Sequence, residues 1–196
     1  MRHDLLSIIL LSFVLISPAQ GSQDQFAHKL IQAAIARTAH GVIYDGSYRQ
    51  IDYPGGDVPD NRGVCTDVVI RVYRALHIDL QKRVHEDMTR HFAEYPQIWG
   101  LTHPDSNIDH RRVPNLQTFL RRNGTELSQS STPADYLPGD LVTWTLPGNL
   151  PHIGIVIDGR SADGQRPLIV HNIGNGPEID DILLAFPISG HYRYHR

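Results

Sequence analysis

The stretch Gly63-Val64-Cys65-Thr66-Asp67-Val68-Val69-Ile70-Arg71-Val72-Tyr73-Arg74-Ala75-Leu76 holds the chain's only cysteine. Residues 65, 68, 69, 72, 73 and 76 recur at helical spacing, so a turn at Gly63 delivers Cys65 to the first turn of an amphipathic helix. The partial positive charge of a helix N-terminus favours thiolate over thiol, so this position predicts a thiol pKa below its free value of about 8.5. The competing reading is a small buried hydrophobe, the commonest state of a lone cysteine.

The N-terminus bears on that choice. Met1-Arg2-His3 precedes an apolar run from Leu5 to Ile16, and Ser17-Pro18-Ala19-Gln20-Gly21 supplies small residues for cleavage after Ala19 or Gly21. Residues 1–21 therefore read as a secretory signal peptide, and the expected location is periplasmic or secreted. The run is short for a bilayer span, so stable membrane insertion is not expected. A single cysteine in an oxidising compartment cannot form an intramolecular bridge, and its presence calls for catalysis or for complete burial.

Residues 22–196, about 175 in number, suit one domain with a substantial core. A formal charge of −3 gives no general attraction to nucleic acid or anionic lipid.

Asp24 is placed to cap a first helix through Phe26, Leu30, Ile31, Ala34 and Ile35 that stops at Gly41. The segment Pro54-Gly55-Gly56-Asp57-Val58-Pro59-Asp60 is a turn-rich loop leading to the cysteine helix, where Asp57 is a candidate to line the site. A third helix from Asp79 carries Leu80, Val84 and Met88 in register, and a fourth from Pro114 ends before Gly124. From Pro138 the pattern becomes strand-like over Leu141–Leu146, His152–Asp158, Leu168–Ile173 and His191–Tyr194. Helices first and strands afterwards predict an α+β domain with the helices packed on one face of an antiparallel sheet.

A thiol nucleophile needs a base, and the base needs an orienting group. With 12 histidines in the chain, placement must decide. His152 opens His152-Ile153-Gly154-Ile155-Val156-Ile157-Asp158, and Gly154 leaves open space on its face of the strand. His171 lies toward the end of Leu168-Ile169-Val170-His171-Asn172-Ile173-Gly174. If the two strands pair, the imidazoles come within reach of one another. Asn172 points to the opposite face and is kept as a candidate substrate contact.

Cys65 at a helix start, Gly139-Asp140-Leu141-Val142-Thr143-Trp144, His152-Ile153-Gly154-Ile155-Val156 and Ile169-Val170-His171, in that order, resemble the NlpC-type branch of the papain-like cysteine peptidases. The resemblance implies a papain-like NlpC-type fold, with Cys65 as nucleophile, His152 as base and His171 as orienting group. It also implies hydrolysis of amide bonds in peptidoglycan, with the polymer or its stem peptides as partner. Gly56-Asp57-Val58-Pro59, Asp109-His110-Arg111-Arg112-Val113-Pro114-Asn115 and Gly190-His191-Tyr192-Arg193 resemble an exported bacterial family named only as a domain of unknown function, grouped with NlpC-type enzymes. Two departures stand out. The usual Asp-Cys-Ser/Thr-Gly is here Val64-Cys65-Thr66-Asp67, and a helical insert at about 77–138 lengthens the path from cysteine to base.

That insert holds Asp109, His110, Arg111 and Arg112, whose guanidinium forks suit the carboxylates of stem peptides; an internal salt-bridge network is the alternative. No cofactor is expected. Asp109, His110, His103 and Asp105 are metal-ligand types, but they lack the spacing of a compact zinc centre. The expectation is an exported cysteine amide hydrolase, amidase or endopeptidase. The alternatives are a thiol acyltransferase or a non-catalytic peptidoglycan-binding module of the same fold. The Cys65 N–H is one oxyanion donor; Tyr53 or a group near Asp57 is a candidate for the second.

Overall fold

The computed structural model describes residues 18–195. Helix α1 spans Pro18–Arg37, α2 Cys65–Ala75, α3 Leu80–His91 and α4 Val113–Asn123. Strands β1 (Ile43–Tyr44) and β2 (Arg62–Gly63) form a small parallel pair. The remaining strands are β3 (Thr125–Glu126), β4 (Leu141–Leu146), β5 (Leu150–Arg160), β6 (Pro167–His171), β7 (Glu178–Asp180) and β8 (Ile188–Arg193). They make one antiparallel sheet in the order β3-β8-β4-β5-β6-β7. The α+β arrangement expected from the order of patterns is therefore observed.

The sheet separates two cores. Ile153, Ile155 and Ile157 of β5, with Leu141 and Val170, pack against Leu30, Ile31 and Ala34 of α1, Val68, Val69 and Val72 of α2, and Leu116, Phe119 and Leu120 of α4. Alternation sends Val142, Trp144, Val156 and Ile169 to the other face, where Tyr136 and Leu183 cover them. The Trp144 indole N–H donates to the Leu183 carbonyl at 2.9 Å and ties that cover down.

Asp79 caps α3 as expected, its carboxylate accepting from the Lys82 N–H at 3.2 Å. Helix α1 differs from expectation. It starts at Pro18, before the Asp24 signal, and ends at Arg37, short of Gly41. Proline is well tolerated in a first turn, and the exit is held by the Thr38 hydroxyl donating to the Ile35 carbonyl. The apolar run Leu5–Ile16 lies outside the described residues, and no described helix is long and apolar enough to cross a membrane.

Candidate active site

Cys65 is the first residue of α2, and the turn that starts this helix is built from charge. The Asp67 carboxylate accepts from the Val64 N–H at 2.7 Å, closing the N-terminus as one half of a capping box does. The same carboxylate receives the Arg111 guanidinium through Nε at 2.8 Å and Nη2 at 3.0 Å. Arg111 also donates to the carbonyls of Asp45 and Ser47, and Thr66 Oγ1 donates to the Arg111 carbonyl. One buried arginine thus pins the β1 exit, the α2 start and the 109–111 turn together.

Cys65 is only 4% exposed. Backbone N–H groups of Ile153, Thr66 and Cys65 itself face it and favour the thiolate, but burial outweighs them, with help from the Asp67 charge. The thiol is pushed up to about 11. This corrects the expectation of an acidified thiol: the helix N-terminus is present, but desolvation of the charged form is the larger effect.

Ile153 is the residue after His152. Cys65 therefore meets the sheet at the backbone of β5, one position from the candidate base. His152 faces Trp144 across the β4–β5 ladder, with ring centroids 5.8 Å apart. Its ring also lies 5.3 Å from that of His171 and nearly perpendicular to it. Strand β6 pairs with β5 through Ile155–Val170 and Val156–Ile169, which carries His171 against Gly154. A Cβ on Gly154 would sit 2.6 Å from Ile169 Cγ2 and 3.2 Å from His171 Cβ. The space at Gly154 is therefore filled by β6, and it serves the approach of the two histidines, not that of the helix or a substrate.

Both imidazoles are sealed, His152 at 1% and His171 at 0% exposure. Burial, then the neighbouring His171, pushes His152 down to about 3. His171 is lowered by burial while the Asp180 carboxylate, 3.2 Å from its Nε2, pulls it back up. His152 Nε2 and His171 Nδ1 are buried without a hydrogen-bond partner. His171, Glu178 and Asp180 offer ligand atoms within 4.8 Å of one another, the one such group of His, Cys, Asp or Glu among the described residues.

Four of the expected substrate contacts, Asp57, Asp109, Arg111 and Arg112, are matched by partners within the chain. Asp57 accepts from Arg71 and Arg74 of α2, which hold the preceding loop on the helix. Asp109 is buried, accepts from the Asp105 N–H and pairs with Arg112. Arg112 stacks on Trp99 at 4.1 Å. His110 is buried, and its Nδ1 has no partner. Arg111 is spent on Asp67. Asn172 is fully buried; its Oδ1 accepts from the Gly174 N–H at 3.0 Å, and its Nδ2 has no partner. These groups build the walls and do not present a carboxylate-binding surface, because a buried fork is held only where its charge is already matched.

Tyr53 packs edge-on to His85, 4.9 Å between centroids. Tyr44 is the phenol near the thiol instead. Burial, then the Cys65 and Asp67 charges, pushes it up to about 12. Its position follows from the Tyr44–Gly63 register of the β1–β2 pair, two residues before Cys65. A two-residue parallel pairing carries no periodicity, and only the polar, aromatic character of 44–53 hinted at it.

The model of the family described as Domain of unknown function (DUF1287) matches residues 31–194. The uncharacterized protein YijF of Escherichia coli (strain K12) is 56% identical over 153 residues, which is 78% of this chain and 74% of its own. Among solved structures, a Staphylococcus aureus subsp. aureus Mu50 protein described as similar to lipoprotein, NLP/P60 family, aligns with a TM-score of 0.42 at 13% identity. That alignment covers 88% of this chain and 42% of the other. From Ile31 on α1 to Tyr194 after β8, the matched span takes in the thiol, both imidazoles and all of the sheet, and the chain belongs to the DUF1287 family.

Proposed function

We propose that this protein is an exported thiol hydrolase that cleaves an amide bond of peptidoglycan. The observation that carries the reading is that the start of β5 meets the thiol through Ile153 and bears the candidate base at the preceding residue. Cys65 Sγ lies against the Ile153 amide, and His152 and His171 from neighbouring strands stand perpendicular at 5.3 Å.

In this reading Cys65 Sγ attacks the amide carbonyl while its proton passes to His152. The tetrahedral oxyanion is received by the Cys65 N–H and the Tyr44 hydroxyl. His152 then gives the proton to the leaving amine, and the C–N bond breaks to leave a thioester. Water, deprotonated by the same imidazole, hydrolyses the thioester and restores the thiol. With the thiol at about 11 and His152 at about 3, the resting pair is neutral, so the proton moves during attack and not before it. His171 holds the imidazole. The finer assignment to peptidoglycan rests on the sequence resemblance.

The depth of Cys65 favours a second reading, a wall-binding module of the same fold without turnover. Incubating the mature protein and a Cys65→Ala variant with intact sacculi separates the two. Fragments released by the parent alone support hydrolysis, and their masses identify the bond. Equal sacculus binding with no fragments from either protein supports the module. A new amide crosslink would mark acyl transfer.

A further inference from the structure

The two ring nitrogens of His171 have different surroundings. Nε2 lies 3.2 Å from Asp180 Oδ2, whereas Nδ1 is buried with no partner. A neutral imidazole carries one N–H, and a carboxylate only accepts. The hydrogen therefore sits on Nε2 and leaves a lone pair on Nδ1. The adjacent ring, His152, stands perpendicular at 5.3 Å, and its Nε2 is likewise buried and partnerless. The two rings meet edge to face, and neither of these nitrogens hydrogen-bonds to the other.

We propose that Asp180 is a positioning residue of the site, fixing His171 as the Nε2–H tautomer and so holding the ring that packs against His152. This deepens the hydrolase reading and rests on it for the roles of the two histidines.

The placement of β7 supports the assignment. Its register sets Glu178 opposite His171 and Asp180 opposite Ile169, so both carboxylates share the His171 face of the sheet. The hydrogen bond goes to Asp180, on the diagonal. Burial and the Asp180 charge raise Glu178, and the structure gives it no hydrogen bond to His171. The Asp180 side chain is 46% exposed, and its hydrogen bond with the neutral His171 ring adds little stability. Its contribution is directional: it chooses which nitrogen bears hydrogen. Partners that orient a metal-bound histidine are typically worth about 10–100-fold, and a loss of the same order is expected here.

The test pairs ring-nitrogen NMR with sacculus digestion in the full chain. Asp180→Ala is made together with Glu178→Gln, so that the neighbouring carboxylate cannot step in, and Asp180→Asn is made in the same background. Glu178→Gln alone is expected to match the parent. The parent should show His171 protonated on Nε2, and the Asn variant should keep that signature, since its amide oxygen still accepts. The Ala variant should shift toward Nδ1–H, with kcat down about 10–100-fold and KM unchanged. An unchanged His171 tautomer in the Ala variant overturns the proposal, as does an unchanged kcat where the parent is active. If the parent releases nothing from sacculi, the hydrolase reading fails, and the tautomer spectra still decide whether Asp180 sets His171.

Discussion

Asp67 and Arg111 form a two-pronged ion pair whose side chains are each only 3% exposed, and this pair joins the start of α2 to the turn before α4. Its loss would leave a carboxylate uncompensated two residues from Cys65. Removing one partner of a buried pair costs about 3–5 kcal/mol. Arg111→Ala is therefore expected to lower the thermal midpoint sharply, and to weaken any activity only in proportion to the folded fraction lost. A variant that melts like the parent but shows a selectively raised KM would instead return Arg111 to substrate contact.

Gly154→Ala tests the approach of β6. The added methyl would meet Ile169 Cγ2 at 2.6 Å, the Val170 carbonyl oxygen at 3.0 Å and His171 Cβ at 3.2 Å, and two of these are not flexible ends. Overpacking of this kind costs about 1–3 kcal/mol. The expected outcome is a folded, weaker protein in which His171 is displaced and sacculus digestion falls more than stability alone explains. Unchanged digestion would show that the spacing of the two histidines does not matter.

The fold was legible where periodicity was long. The 3.6-residue spacing of Val68, Val69, Val72 and Tyr73 placed α2, and the apolar runs of β4, β5 and β6 placed the centre of the sheet. The short strands escaped notice, since Glu178–Asp180 and Ile43–Tyr44 are too brief for alternation to register, yet they carry Asp180 and Tyr44. Charge was the least legible feature. The run Asp109-His110-Arg111-Arg112 reads as a recognition surface until Asp67, 44 residues earlier, is seen to neutralise Arg111. Burial likewise decides the thiol, and no local pattern shows how deeply a helix end will sit.

Acid should act through histidines before it acts through carboxylates. Burial holds His110 and His152 each at about 3, against about 6.5 unfolded, and lowers His171 in the same direction. A depressed histidine contributes its stability in full above pH 6.5 and loses it as pH falls toward the folded value, because the unfolded chain takes up the proton first. Each of the first two contributes a slope of about 1.4 kcal/mol per pH unit over that window. Urea unfolding at pH 7, 6 and 5 should show a steep fall, and His110→Asn should flatten it by about one proton's worth. A stability flat from pH 7 to 5 would mean that neither site holds a neutral ring.

The resting thiol offers the most direct check on the chemistry. A thiol at about 11 beside an imidazole at about 3 is a neutral pair, unlike a preformed thiolate–imidazolium, which stays reactive well below neutrality. At pH 7 a thiol of that pKa is about one part in ten thousand ionised, and the fraction grows about tenfold with each pH unit until it approaches the pKa. Alkylation of Cys65 by iodoacetamide, followed by mass spectrometry of the intact protein, should be slow at pH 7. It should climb with that slope through pH 9, with the 4% exposure slowing it further throughout. A high, flat rate from pH 5 to 8 would contradict the neutral pair and reveal an open state in which the sulfur is solvated and paired. If saturating stem peptide flattens the profile, the substrate itself supplies the activation that the resting structure withholds.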